Sequence, residues 1–253
     1  MKRLAKSVAA RLGYEIRRST GDEMAARSVR DSEYYTRWTP RCPLFTPWTG
    51  HPEFEAVYDG VGPHTIVSRD RCYFVAKLAD QASHLRGELA ECGVYMGGTA
   101  LLICRVIVGR GRRLYLFDSF EGLPAGRPDE QQWFEEGLFA IDTVDSVKQL
   151  LRDFDEFTEI RQGWIPKTFE GLEDMSYAFA HIDVDLYQSA LDCCEHFYPR
   201  LVPGGMLLFD DYGFAAARGE RDAVDTFFVD KPESPIVLPT GQAIVLKLPE
   251  PEA

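Results

Sequence analysis

Apolar positions change period several times along the chain, and each change marks a predicted element. From residue 65 they recur at helical spacing to about residue 85, followed by a short apolar strand at 88–94, a glycine turn and a helix at 99–108. The alternation then repeats. Strands are predicted at 113–118, 157–164, 177–183 and 206–210, separated by helical stretches at 142–154, 187–200 and 217–228. Strands alternating with helices make a parallel sheet covered on both faces. The end differs: runs 235–238 and 243–248 flank Pro239-Thr240-Gly241-Gln242 without a helix between them, which predicts a terminal antiparallel hairpin. Residues 19–65 follow neither period, yet Tyr34, Tyr35, Trp38 and Trp48 make them too aromatic for a linker, so they are expected to pack as a cap. The organisation predicted is an N-terminal basic helix and cap over 1–65 and an α/β domain over 66–253.

The chain has 253 residues, 45% of them hydrophobic and 27% charged, which suits one large globular domain plus extensions. Lys and Arg total 28 against 40 Asp and Glu, a net charge of −12. That is the wrong sign for neutralising phosphates across a surface, so no nucleic-acid partner is expected, and a cationic or metal-bridged ligand fits better. The most hydrophobic helical segment, 99–109, carries Arg105 in its middle and is too short to span a bilayer. A soluble, cytoplasmic protein is expected. Its six cysteines (Cys42, Cys72, Cys92, Cys104, Cys193 and Cys194) form no C-x-x-C pair, which predicts reduced thiols. Charge is uneven. Lys2, Arg3, Lys6, Arg11, Arg17 and Arg18 stand against Glu15 alone, and Leu4, Val8, Leu12 and Ile16 recur at helical spacing. Residues 1–18 therefore read as an amphipathic basic helix, either touching a membrane surface weakly or packing against a partner copy. A homo-oligomer is expected.

In an open α/β sheet the ligand sits beyond the carboxyl ends of the strands, so the residues following each strand carry the chemistry. The first such stretch is Glu91-Cys92-Gly93-Val94-Tyr95-Met96-Gly97-Gly98-Thr99. It departs from the dinucleotide fingerprint, because Tyr95 stands where a glycine must let a pyrophosphate approach and Glu91 adds negative charge nearby. NAD is a poor candidate. Glu91 favours a cationic group, and Thr99 at a helix N-terminus can donate to a carboxylate, so the turn suits an amino-acid headgroup. The second stretch, Leu116-Phe117-Asp118-Ser119-Phe120, places Asp118 about twenty residues beyond the turn, where an acid commonly holds two ribose hydroxyls. Headgroup and ribose together describe S-adenosylmethionine. The plainer reading makes Gly97 and Gly98 turn formers and Asp118 a helix cap.

The next two strands each end in paired acids, Asp183 and Asp185 in His181-Ile182-Asp183-Val184-Asp185, and Asp210 and Asp211 in Phe209-Asp210-Asp211. On neighbouring strands these carboxylates would raise one another's pKa unless a cation neutralised them. Mg²⁺, or Mn²⁺, is the natural choice, since it takes oxygen ligands and keeps positions open for a substrate hydroxyl. One of the acids could instead be a helix cap. His181 is expected to face the sheet interior or a neighbouring helix rather than the substrate.

The motifs resemble a known group. The 91–99 turn resembles that of catechol-type and caffeoyl-CoA-type O-methyltransferases. Residues from about Trp48 to Lys247 resemble, more closely, the TylF/MycF/NovP group of sugar O-methyltransferases, through the 91–99 turn, Asp118-Ser119-Phe120-Glu121-Gly122-Leu123-Pro124, Gly163-Trp164, and the stretches 181–189, 203–213 and 238–242. The resemblance implies a class I methyltransferase fold, a Rossmann-like three-layer sandwich with a seven-stranded, mostly parallel sheet ending in the hairpin. It implies S-adenosylmethionine held by Glu91, Gly93, Tyr95, Gly97, Thr99, Asp118, Ser119, Gly163, Trp164 and Asp183, and a divalent metal on Asp183, Asp210 and Asp211. The acceptor implied is a sugar hydroxyl of a natural-product glycoside or a bacterial surface glycan; a phenolic or catechol acceptor, or a non-catalytic scaffold, are the alternatives. For the general base, catechol-type relatives use a lysine where this chain has Leu186, and some macrolide-sugar members use a histidine in a stretch that here has none. Asp185 remains as the base, or else as a residue that orients Asp183. Residues 121–141, with Gly122, Gly126, Gly137, Trp133, Phe134 and Phe139, suggest a lid over the acceptor or a plain surface insertion.

Overall fold

The computed structural model describes residues 46–140 and 144–249. The 1–18 helix, the 19–45 part of the cap with Cys42, and the last residue of the 121–141 segment lie outside them. Seven strands form one sheet: β1 (Glu88–Cys92), β2 (Leu114–Asp118), β3 (Thr158–Gln162), β4 (Tyr177–Ile182), β5 (Leu201–Phe209), β6 (Ile236–Val237) and β7 (Ala243–Leu246). Their order is β3-β2-β1-β4-β5-β7-β6. The pairs from β3 to β5 are parallel, while β7 runs antiparallel to both β5 and β6. The predicted hairpin is therefore present.

The helices are α1 (Pro52–Tyr58), α2 (Arg69–Ala82), α3 (Gly98–Ile107), α4 (Val144–Leu150), α5 (Tyr187–Phe197) and α6 (Arg218–Phe228). Side chains alternate across a strand, and here they divide two cores. Leu114, Leu116 and Leu208 join the residues of α1, α2 and α3, whereas Tyr115, Phe117, Leu207 and Phe209 join those of α5 and α6. Phe54 and Val61 are buried in the first of these cores, so residues 47–65, assigned by composition to the cap, form one compact unit with the sheet. The described cysteines, Cys72, Cys92, Cys104, Cys193 and Cys194, are all buried and free.

Two elements differ from the pattern. β5 starts at Leu201, ahead of the predicted 206, and includes Pro203-Gly204-Gly205, residues that disfavour strands and sit here beside a register shift in the β4–β5 pairing. The 142–154 helix is broken, with α4 followed by a separate 3₁₀ turn at Arg152–Phe154. Among the described residues no helix is long and apolar enough to cross a membrane.

Candidate active site

The sheet order makes β1, β4 and β5 neighbours, so the acids at and beyond their carboxyl ends arrive together. The first loop is shaped by backbone constraints. Gly93 has φ of +84°, and a Cβ there would overlap the Asp183 carbonyl, so only glycine fits between the ends of β1 and β4. Gly93→Ala is expected to lower the melting temperature and abolish nucleoside binding, because both the backbone conformation and the close approach fail. Melting and S-adenosylhomocysteine titration check this; a variant that melts and binds like wild type would show that the loop tolerates displacement. Tyr95 is also left-handed, at φ +52°. Gly97 (φ +83°) forms the turn into α3 and packs toward Val147 and Leu150, outside the cleft lining.

Asp118 holds the turn together. Its Oδ2 accepts from the Val94 and Tyr95 N–H groups at 2.7 and 2.9 Å, and its Oδ1 accepts from the Phe120 N–H at 2.6 Å. A carboxylate offers about four acceptor positions, so three are committed to holding the turn. Ser119 likewise ties the next turn, donating to the Gly122 carbonyl at 3.1 Å and accepting from the Glu121 N–H at 3.0 Å.

A cleft of about 460 Å³ opens over these strand ends. Gly93, Tyr95, Thr99, Asp118, Ser119, Gly163 and Trp164 line one part of it, and Asp183, Asp185 and Asp211 another. Of the predicted site residues, Glu91, Gly97 and Asp210 do not line it. Glu91 and Asp210 are fully buried beneath it. They are joined by His181, whose Nδ1 lies 2.9 Å from Glu91 Oε1 and whose Nε2 lies 3.3 Å from Asp210 Oδ1. Burial alone would lower the histidine's pKa, but hydrogen bonds to Asp210 and Glu91 outweigh it and raise it to about 9. His181 is thus buried between two carboxylates and does not line the cleft, in keeping with the expectation that it faces away from the substrate.

Around it the acids divide. Asp183, Asp185 and Asp211 all have pKa values raised, first by burial: Asp183 also by Asp210, Asp211 and Asp185, Asp185 also by Asp211 and Asp210, and Asp211 also by Asp210, against the lowering effect of Arg71 and of its hydrogen bond with Asp183. Asp210 alone is lowered: the bonds from His181, Arg71 and Gln242 outweigh its burial. Glu220, fully buried, accepts from the Asp211 N–H at 3.1 Å and is raised by burial and by Asp211 and Asp185. Among the described residues, six carboxyl groups (Glu91, Asp183, Asp185, Asp210, Asp211 and Glu220) gather round the guanidinium of Arg71 and the imidazole of His181. Such a deficit of positive charge suits a hard divalent ion. His181, Asp183 and Asp210 place donor atoms within 4.8 Å of one another, but both ring nitrogens of His181 are already engaged, by Glu91 and Asp210. The carboxylates are the better ligands.

The 121–140 segment is fastened over this region. Leu123 and Leu138 pair through a 2.8 Å backbone bond, Phe134 packs with Leu186 and Ala217, and the ring of Phe139 meets that of Tyr95 edge-on at 5.9 Å. Buried Glu130 accepts from the Tyr187 N–H at 2.7 Å, capping α5, and from the Arg127 N–H at 2.6 Å. Removing a buried charged acceptor costs ~1–3 kcal/mol. Glu130→Ala should therefore expose new protease sites within 121–140 and lower melting, with Glu130→Gln intermediate; an unchanged cleavage pattern would mean the segment is held elsewhere.

A parallel five-strand body extended by a reversed hairpin, with a glycine turn after β1, an acid at the end of β2 and paired acids after β4 and β5, defines a class I methyltransferase. Solved structures share the fold, among them the O-methyltransferase NovP (TM-score 0.65, 24% identity, 74% of this chain and 83% of that one). CalS11, a calicheamicin methyltransferase, matches at TM-score 0.65 and 18% identity over 91% of this chain and 94% of that one. Residues 61–235 match the TylF macrocin-O-methyltransferase family, and the chain belongs to it. Curated relatives include the 4'-O-methyltransferase of 8-demethyl-8-(2,3-dimethoxy-alpha-L-rhamnosyl)-tetracenomycin-C from Streptomyces olivaceus, 32% identical over 58% of this chain and 59% of that protein. Mycinamicin III 3''-O-methyltransferase from Micromonospora griseorubida is 28% identical over 61% of this chain and 67% of that protein. The match thus spans about three fifths of the first relative's length and two thirds of the second's.

Sequence reasoning missed Arg71, Gln242, Glu220 and Glu130. Gln242 and Glu130 lay within stretches already singled out, the hairpin turn and the 121–141 segment, but neither was named there.

Proposed function

We propose that this chain is an S-adenosylmethionine- and divalent-metal-dependent O-methyltransferase acting on a sugar hydroxyl of a natural-product glycoside. The observation that carries the reading is the continuity of one cleft from Tyr95, Asp118 and Trp164 to Asp183, Asp185 and Asp211. A nucleoside and the hydroxyl to be methylated would meet inside it. The activities of the relatives favour a glycoside over a catechol, since one is the 4'-O-methyltransferase of a rhamnosyl-tetracenomycin.

In this reading the N–H groups opening α3, with the Thr99 hydroxyl, receive the cofactor's carboxylate. Asp118 offers its remaining acceptor position to the ribose, with Ser119 beside it, while Gly163 and Trp164 flank the adenine. Glu91, whose Oε2 has no hydrogen-bond partner among the described residues, sets a negative field beneath the methionyl ammonium. Asp183, Asp210 and Asp211 hold Mg²⁺ or Mn²⁺, and Asp183 also borders the cofactor. Once bound, S-adenosylmethionine supplies an electrophilic sulfonium methyl and the metal lowers the pKa of the acceptor hydroxyl. Asp185 takes the hydroxyl proton as the attack proceeds, and the 121–140 segment keeps water out.

Calorimetric titration with S-adenosylhomocysteine and with NAD, each with and without Mg²⁺, tests the cofactor half. Binding of the homocysteine nucleoside is expected; binding of NAD alone would overturn the reading. Glycosides with free sugar hydroxyls against catechols, as methyl acceptors, test the rest, and turnover of catechols only would overturn the sugar assignment.

A further inference from the structure

The acid cluster already holds a cation belonging to the chain. Arg71, in the first turn of α2, directs one nitrogen, Nη1, to Asp210 Oδ2 and, at 2.9 Å, to Asp211 Oδ1. The other oxygen of Asp210, Oδ1, is taken by Gln242 Nε2 at 2.6 Å and by His181 Nε2 at 3.3 Å. Oδ2 is therefore the oxygen Asp210 has left to offer a metal, and it is the one the guanidinium covers. A divalent ion on Asp210 and Asp211 would sit about 2.0–2.1 Å from each oxygen if magnesium. That is the space Nη1 fills, and two cations so close repel strongly in a site where solvent screening is weak. The guanidinium is only 11% exposed and lies 4.9 Å from the centroid of Phe214, whose face steadies it. Yet one guanidinium reaches only Asp210 and Asp211 of the clustered acids, so it does not make a metal redundant.

We propose that Arg71 is an internal stand-in for the divalent cation, bridging Asp210 and Asp211 in the metal-free protein and displaced from both when the metal binds. The inference rests on the metal-dependent reading above. Because the metal-competent arrangement must first shed the guanidinium, the metal's apparent affinity is reduced by that competition. Arg71 also keeps two adjacent carboxylates together before the ion arrives.

The test is Mn²⁺ alone, titrated calorimetrically into the full chain after chelator treatment, without cofactor or acceptor. Arg71→Met is expected to bind Mn²⁺ at least tenfold more tightly than wild type. Its metal-free form should melt lower than wild type, and Mn²⁺ should raise its melting temperature by more. If Arg71→Met does not fold, Arg71→Lys serves, since a shorter side chain with a compact ammonium bridges both carboxylates less well; it should still bind Mn²⁺ more tightly than wild type. A wild-type crystal grown with Mn²⁺ should show Nη1 beyond hydrogen-bond reach of Asp210 and Asp211. Equal or weaker Mn²⁺ affinity in a folded variant, or Mn²⁺ bound with Nη1 still bridging, would overturn the inference and leave the metal-dependent reading standing. Absence of Mn²⁺ binding to wild type and variants alike would overturn both, while S-adenosylhomocysteine binding in the same samples would preserve the methyltransferase assignment.

Discussion

Asp210→Asn is expected to abolish metal-dependent turnover, by about 10³-fold or more, while S-adenosylhomocysteine binding stays near the wild-type value. The magnitude follows from the several kcal/mol that Lewis-acid stabilisation contributes, each ~1.4 kcal/mol being tenfold in rate. Binding should be spared because Asp210 does not line the cleft and none of its hydrogen bonds reaches the 91–99 turn directly. The substitution has a second effect. Asp210 is the acceptor on which Arg71, His181 and Gln242 converge, and losing one partner of a buried ion pair costs ~3–5 kcal/mol. Asparagine keeps one carbonyl oxygen, so the loss should fall at the lower end. Melting must therefore be measured alongside, and rates taken where the variant is folded. A folded variant within tenfold of wild type at saturating Mg²⁺ would remove Asp210 from the metal site.

Asp185→Asn should lower the turnover rate by ~10²–10⁴, the usual range for loss of a general base. The substitution is unusually clean here. Asp185 has φ of +59°, a left-handed conformation that few side chains adopt but asparagine tolerates well. The backbone after β4 should stay in place, and what is removed is the carboxylate's capacity to accept a proton. The two roles left open by the sequence then separate by measurement. A base variant loses rate with Mn²⁺ affinity unchanged. An orienter of Asp183 loses Mn²⁺ affinity together with rate, and a near-normal rate would exclude Asp185 from both.

How much of this was legible in the chain depends on distance along it. Asp118, Asp183 and Asp210 could be found because a parallel sheet delivers its strand ends to one edge, and each acid directly follows or ends an apolar run. The strands themselves were legible for the same reason, except where Pro203-Gly204-Gly205 hid the start of β5. Arg71 was not legible. It sits beside Arg69 and Asp70 in what reads as a solvated first turn, and its partners lie 139 and 140 positions away. Gln242 pairs with Asp210 across 32 positions through the hairpin, and an amide in a turn carries no sign of it. Glu130 reads as one acid among several in a polar loop, and only the unsatisfied N–H groups opening α5 explain its burial. Sequence thus gave the residues that follow periodic elements, while those that neutralise or cap them needed coordinates.

The three backbone bonds accepted by Asp118 bear on how this protein could change over evolutionary time. A Rossmann-type site is commonly retargeted toward a phosphorylated nucleotide by exchanging the acid at the end of β2 for a neutral or basic residue. Here that exchange would also release the N–H groups of Val94, Tyr95 and Phe120. With the ribose role proposed above, ligand preference and loop integrity would be written into one side chain, so drift at position 118 would dismantle the turn before it could recruit a new ligand. Change would meet less resistance at Gln188 and Asp192, which also line the cleft and whose side chains hydrogen-bond to each other rather than, among the described residues, to a loop.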